Sequence, residues 1–308
     1  MANINMKAQN FGLELEFTGI TRKQAAAAIA KTINGNYEYS RTGEGYDKRE
    51  VTGADGRKWT IMSDASVTGS CCGDGGEFVT PICRYEDIEL VQECVRALRK
   101  AGAKVDSSCG LHIHIDGANH NAKSLKNLTF TFKAKQDLIF KAAKAQDRKC
   151  NRYCREIDER LIDTIRNNKQ LDMDSLADNW YNTYAPGQSR RQHYNDSRYH
   201  ALNLHSIWYR GTVEFRLFHA TLHAGEVKAY INLCLAMSAA AINAKRASAD
   251  VLDNGNDKYA MRCWLLRLGF IGDEYKTVRH HLLKNLDGNA AWRNDPNTYE
   301  SYNNRRTA

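Results

Sequence analysis

The sequence predicts an α+β fold, a curved and largely antiparallel sheet covered by helices on one side, and three observations lead there. Several short segments alternate strictly between apolar and polar residues, the period of a strand buried on one face. Longer segments between and after them carry helical periodicity. No Pro-, Gly- or Ser-rich linker and no internal repeat divides the 308 residues, so the elements should share a layered core.

Taken in order, residues 11–18 place Phe11, Leu13, Leu15 and Phe17 on one face and Glu14 and Glu16 on the other. Thr21 is placed to cap an alanine-rich helix that Gly35 can stop. Residues 48–51 and 58–63 predict a hairpin across 52–56. A loop rich in glycine and cysteine, 69–76, leads into a short strand at 77–80 that Pro81 ends, and a helix follows over 85–101. Residues 110–116 alternate again, with Leu111, Ile113 and Ile115 facing one way and His112, His114 and Asp116 the other. Helical periodicity covers 122–145, 151–168 and 174–184, before a polar loop at 186–197. Two strands are expected over 199–208 and 212–219, joined by 209–211. The second sets Val213, Phe215 and Leu217 against Glu214 and Arg216. Helices are expected over 226–245, 259–268 and 275–286, and the last twenty residues read as a loose tail.

The most apolar stretch, 233–244, is broken by Ser238 and Asn243, far short of the roughly 20 apolar residues a membrane helix needs. The N-terminus lacks a basic region followed by an apolar core. With that, nine cysteines read as thiols in a reducing, cytoplasmic setting. The net charge is +8, and residues 121–170 hold 13 Lys or Arg against 6 Asp or Glu. Such a region can attract nucleic acid or another polyanion, or simply be a solvated helix face.

Chemistry points to the polar faces of the strands. Two carboxylates at i and i+2 lie roughly 6–7 Å apart at Cα, and a hard cation beside them relieves their repulsion. Oxygen-rich donor sets favour Mg²⁺ or Mn²⁺ over zinc. Taken singly, a Glu-x-Glu is usually solvated and a His-x-His usually a hydrogen-bonded pair; their joint presence weakens those readings. The P-loop, His-Glu-x-x-His and Gly-x-Ser-x-Gly patterns are absent from the sequence.

Six segments together resemble the ordered motifs of the amidoligases, a family of carboxylate–amine ligases related to glutamine synthetase and glutamate–cysteine ligase. They are Gly12-Leu-Glu-Leu-Glu-Phe17, Trp59-Thr-Ile-Met-Ser-Asp-Ala-Ser66, Glu77-Phe-Val-Thr-Pro81, Cys109-Gly-Leu-His-Ile-His114, Arg198-Tyr-His-Ala-Leu-Asn203 and Thr212-Val-Glu-Phe-Arg216. The likeness runs from Gly12 to about Asn232; residues beyond about 250 carry no motif of the family. It implies a glutamine synthetase-like sheet forming an open funnel or half-barrel. It also implies a catalytic domain over residues 1–250 with a helical insertion at about 120–185, then a helical extension and tail over 251–308. The implied activity is ATP-dependent amide formation through an acyl phosphate, with two or more Mg²⁺ or Mn²⁺ ions. Glu14, Glu16, Glu77, His112 and Glu214 are the implied metal ligands, and Glu77 also counts among the catalytic groups. His114 would touch ATP phosphate, Arg216 and Arg198 would stabilise the transferring phosphoryl group, and Asn203, Asp64 and Ser66 would sit at the nucleotide or substrate end. The acid and the amine are left open, among them an amino acid, a peptide, a protein side chain or a modified nucleotide. At Asp64-Ala-Ser66 this chain has alanine where the family usually places glycine. Two alternatives remain: an idle relative that binds nucleic acid or another polyanion, and a metal-dependent hydrolase, preferring zinc, built on His112, His114 and Asp116.

Overall fold

A computed structural model describes residues 3–40, 45–67, 73–150, 152–251 and 255–293. Its centre is an eight-stranded open sheet in the order β2-β3-β4-β5-β1-β6-β8-β7, antiparallel at every pairing. The strands are β1 (Phe11–Thr21), β2 (Asn36–Tyr39), β3 (Arg49–Thr52), β4 (Lys58–Met62), β5 (Asp74–Val79), β6 (Gly110–Asp116), β7 (Leu202–Asn203) and β8 (Thr212–His219). Nine helices accompany them among the described residues: α1 (Arg22–Thr32), α2 (Ile88–Lys100), α3 (Ala122–Ala142), α4 (Glu159–Asn167), α5 (Met173–Tyr184), α6 (His205–Arg210), α7 (Ala224–Asn243), α8 (Asp257–Arg267) and α9 (Lys276–Leu283).

The alternations land as expected. Leu13, Leu15, Phe17, Leu111, Ile113, Ile115, Val213, Phe215 and Leu217 are all buried in one continuous core, which α1, α2, α3 and α7 complete. Burying this apolar surface against helices is the main force holding the layers together. Helices α8 and α9 join the same core through Met261, Trp264, Leu265, Val278 and Leu282. Thr21 caps α1 in a reciprocal capping box with Gln24.

Four expectations are corrected. Edge strand β2 is absent from the expected elements: Asn36-Tyr37-Glu38-Tyr39 alternates over only four residues, all exposed or half-buried, with no apolar face to bury. The helix expected over 151–168 forms only as α4, behind its N-cap Asp158. The stretch before it is drawn out, since Arg155 exchanges backbone hydrogen bonds with Tyr199 and Ala201 at 3.0 and 2.7 Å and the Ile157 amide donates to Gln136 Oε1 at 2.9 Å. The long strand expected over 199–208 shrinks to β7. Residues 201–206 are all buried, so no solvent face exists to support alternation, and the chain turns into α6 instead. Gly211, with φ of 76°, supplies the left-handed residue that ends α6 and starts β8. The expectation that helices lie on one side alone is corrected with it, because α6 overhangs the other face.

No helix among the described residues is long and apolar enough to cross a membrane. Cys83, Cys94, Cys109, Cys154 and Cys234 are buried free thiols, Cys150 is exposed and Cys263 half-buried. Residues 69–72 of the expected loop, with Cys71 and Cys72, and residues 294–308 of the expected tail lie outside the described residues, whereas 74–76 of that loop already belong to β5 rather than to a loop before it.

Candidate functional site

The polar face of the sheet gathers acids from three strands and histidines from a fourth. In β1 Glu14 stands opposite His112 of β6, and Glu16 stands opposite Glu77 of β5. On the far side of β6, His114 stands opposite Glu214 of β8. Asp64 is delivered by the turn after β4. Sequence periodicity places each group on its face; only the register brings them side by side.

Three overlapping donor triads result, each with its atoms within 4.8 Å of one another: Glu14, Glu77 and His112; Glu14, His114 and Glu214; Glu16, Asp64 and Glu77. Octahedral Mg²⁺ at about 2.1 Å from its ligands keeps them roughly 3–4 Å apart, so small side-chain adjustments suffice for these sets to hold divalent ions. Glu14 and Glu77 each belong to two triads.

The electrostatics agree. Burial raises the Glu77 pKa, and the carboxylates of Glu14, Asp64 and Glu16 push it further, well above the usual range. Burial, reinforced by Asp64, raises Glu16 as well. For Glu14, burial is outweighed by His114 and His112, which hold it well below the usual range. For Glu214, burial is outweighed by Arg216 and the two histidines, which bring it down to about 2. Burial would lower His114, but the Glu14 and Glu214 carboxylates win and raise it. One end of the row thus holds an excess of acid, and the other balances acid with imidazole and guanidinium.

Neighbours fix the donors. Glu16 Oε2 accepts from the Gly110 amide at 2.5 Å. Asn203 Nδ2 and Arg216 Nη1 donate to the two oxygens of Glu214 at 2.6 and 2.5 Å. His114 Nδ1 is 3.1 Å from Thr212 Oγ1, while its Nε2 is buried without a hydrogen bond, though Glu14 Oε1 lies at 3.4 Å. A ring held at one nitrogen and open at the other is the arrangement of a metal-ligating histidine.

The structure thus brings Glu14, Glu16, Glu77, His112, His114, Glu214, Arg216 and Asn203 together. It puts Asp64 among the acids beside Glu16, with the Ser66 hydroxyl 2.5 Å from Asp64 Oδ1 and 3.3 Å from Glu16 Oε1. Arg198 stands at the rim, where Nη1 donates to the His193 carbonyl at 3.3 Å and the guanidinium lies over Tyr194 and Tyr199. It shares a small pocket with Glu14, Asn203 and Glu214. Asp116 stays out of the triads: its carboxylate accepts from the Ala118 amide at 3.0 Å and from Asn10 at 3.4 Å.

Sequence reasoning missed Arg210, His193 and Arg148. Arg210, on α6, pairs with Glu14 at 3.3 Å and lies 3.2 Å from His193 Nε2. It was hidden in a segment read as a hairpin turn, and His193 in a loop without periodicity. Arg148, on the 3₁₀ turn Gln146–Cys150, points its guanidinium toward Glu16 and His112.

Two expectations follow for stability. Clustered carboxylates repel, and an ion that binds only the folded chain stabilises it by mass action. Saturating Mg²⁺ or Mn²⁺ should therefore raise the melting temperature by roughly 5 °C, and EDTA should reverse the gain. Glu77→Gln should raise the metal-free melting temperature while blunting the response to the ions; scanning fluorimetry reads both. The second concerns His200, which supports the loop bearing Arg198. Its Nδ1 donates to the Ser197 carbonyl at 2.9 Å, and burial lowers its pKa from 6.5 to about 4. The unfolded chain then binds more protons between those values, so this contribution is complete above pH 6.5 and is lost as pH falls toward 4. Urea titrations should show wild type losing stability relative to His200→Phe across that window.

A search of curated proteins finds no match to the chain. The family model described as "Putative amidoligase enzyme" matches residues 7–238, a span that includes every strand of the sheet and every residue of the three triads. The chain belongs to the amidoligase family.

Proposed function

We propose that the protein is an ATP-dependent carboxylate–amine ligase with a glutamine synthetase-like catalytic fold, acting in the cytoplasm and making its amide through an acyl phosphate. The observation that carries this reading is the row of three overlapping donor triads beside a buried arginine. A free carboxylate is a poor acyl donor. Phosphorylation by ATP converts its oxygen into a leaving group; the amine then adds to the carbonyl carbon, and the C–O bond breaks with its electron pair leaving on phosphate. Both steps concentrate negative charge in one place, where fixed cationic groups are most effective.

Glu14, Glu16, Asp64, Glu77, Glu214, His112 and His114 would hold Mg²⁺ or Mn²⁺, two or more ions being suited to three triads. Such ions, when bound, neutralise triphosphate oxygens and orient them. Arg216 sits at the balanced end, where its fork can contact phosphoryl oxygens while Glu214 keeps it charged and placed. Arg198 and Arg210 line the pocket at the open rim, in position to meet an incoming anion. In this reading the catalytic unit is residues 1–250, with the helices between 120 and 185 inserted in it.

Two features weigh against the rivals. The basic segment spends much of its charge internally: Lys133, Lys141, Lys149, Arg160 and Arg166 all form ion pairs with nearby acids. A zinc hydrolase built on His112, His114 and Asp116 would need Asp116 in the cluster.

The test is incubation with Mg²⁺ and ATP against pools of carboxylates and amines, a peptide pool included, following ADP release and the mass of new condensation products. The expected product mass is acid plus amine minus water, dependent on ATP. Product turnover without ATP, or with zinc in place of magnesium, would overturn the reading.

A further inference from the structure

On the polar face of β6, two residues before His112, the chain has a glycine, and a guanidinium takes the space. A Cβ built on Gly110 would lie 3.1 Å from Arg148 Nη2, 3.0 Å from His112 Nε2 and 3.5 Å from Glu16 Oε2. Arg148 reaches this spot because the turn Gln146–Cys150 follows α3 directly, with Lys144 in a left-handed conformation at φ of 52° reversing the chain.

Arg148 is 6% exposed. Its Nη2 donates to the Arg216 carbonyl at 3.3 Å, and its Nε is buried without a partner. Among the described residues no acid forms an ion pair with it, although Glu16 feels its charge. Arg216, 7% exposed, repeats the pattern: Nη1 is taken by Glu214 and Nε is buried and unpartnered. A guanidinium cannot shed its proton to escape burial, so an incompletely paired one is costly to keep inside. A bound oxyanion would complete both, since the planar fork matches carboxylate and phosphate oxygens.

We propose that Arg148 is a second anion-holding arginine of the site, and that Arg148 and Arg216 together form an oxyanion subsite beside Glu16 and His112. Its place in catalysis rests on the ligase reading, whereas its existence as a binding site does not. The anion is a phosphate group or a substrate carboxylate, both of which present the same geometry to a guanidinium. Gly110 is part of the subsite, because any side chain there would occupy the ground the arginine uses.

The experiment uses the full chain with Mg²⁺ present and two probes, inorganic phosphate and acetate, titrated by calorimetry and by ³¹P line broadening. Manganese binding followed by electron paramagnetic resonance serves as the control for the acids. Arg148→Gln is expected to weaken the bound probe at least about tenfold, Arg148→Lys to weaken it less, and manganese affinity not to fall, since removing a cation beside Glu16 does not disfavour a metal ion there. Preference for phosphate or for acetate identifies which anion the subsite takes. Equal affinities in wild type and Arg148→Gln, or no binding of either probe by wild type, would overturn the proposal. If Arg148→Gln does not fold, Arg148→Lys decides alone: weakened binding supports the subsite and wild-type affinity refutes it. The ligase reading fails on a different measurement, the ATP dependence of product formation, so the two failures can be told apart.

Discussion

Glu14→Gln is expected to abolish ADP formation, with a loss on the order of a thousandfold or more, and to leave the fold in place. The reason is position. Glu14 contributes to two of the three triads, so one substitution weakens two ion sites. It also contacts His112, His114 and Arg210, so the charge balance of that end is disturbed as well. The apolar face of β1 is untouched, and Leu13 and Leu15 stay in the core. Glu214→Gln should behave alike, because it removes a ligand and strips Arg216 of its carboxylate partner. Steady-state ADP release, circular dichroism and manganese titration together make the test. Full turnover by either variant would place the chemistry elsewhere.

The second large effect is expected at Arg216. Arg216→Lys keeps the positive charge but replaces a planar fork with a single ammonium on a shorter reach. The lysine cannot donate to Glu214 and also meet a phosphoryl group with a second, parallel bond. A loss of roughly a hundredfold or more in kcat is expected, with manganese affinity little changed because no triad includes residue 216. That division between turnover and ion binding separates Arg216 from the acids. Near-normal turnover would remove it from the reacting centre.

Much of the sheet was legible because a strand writes its two faces into the sequence. The period of two assigned Glu14, Glu16, His112, His114, Glu214 and Arg216 to a common side, and the fold keeps them there. Pairing register is not written locally. Nothing in residues 110–116 says that His112 meets Glu14 while His114 meets Glu214. The resemblance puts Asp64 at the nucleotide or substrate end, and a turn has no period from which its direction could be read independently. Arg148 and Arg210 escaped for a related reason. One sits on a turn between helices and the other at the exposed end of a short helix, in a segment that reads as the connection between two strands. A usable signal for Arg148 did exist: Gly110, His112 and His114 share one face, and a glycine there leaves room for a side chain from another segment.

The place of β1 within the sheet has a consequence for motion. It is hydrogen-bonded along both edges, to β5 on one side and β6 on the other, so no rim exists from which it could peel away. Its backbone amides should resist deuterium until the entire molecule opens, whereas α6 and the 186–198 loop exchange through small excursions. The acids would then ride on the most durable part of the chain, and adaptation to differently shaped reactants would fall to the segments above them.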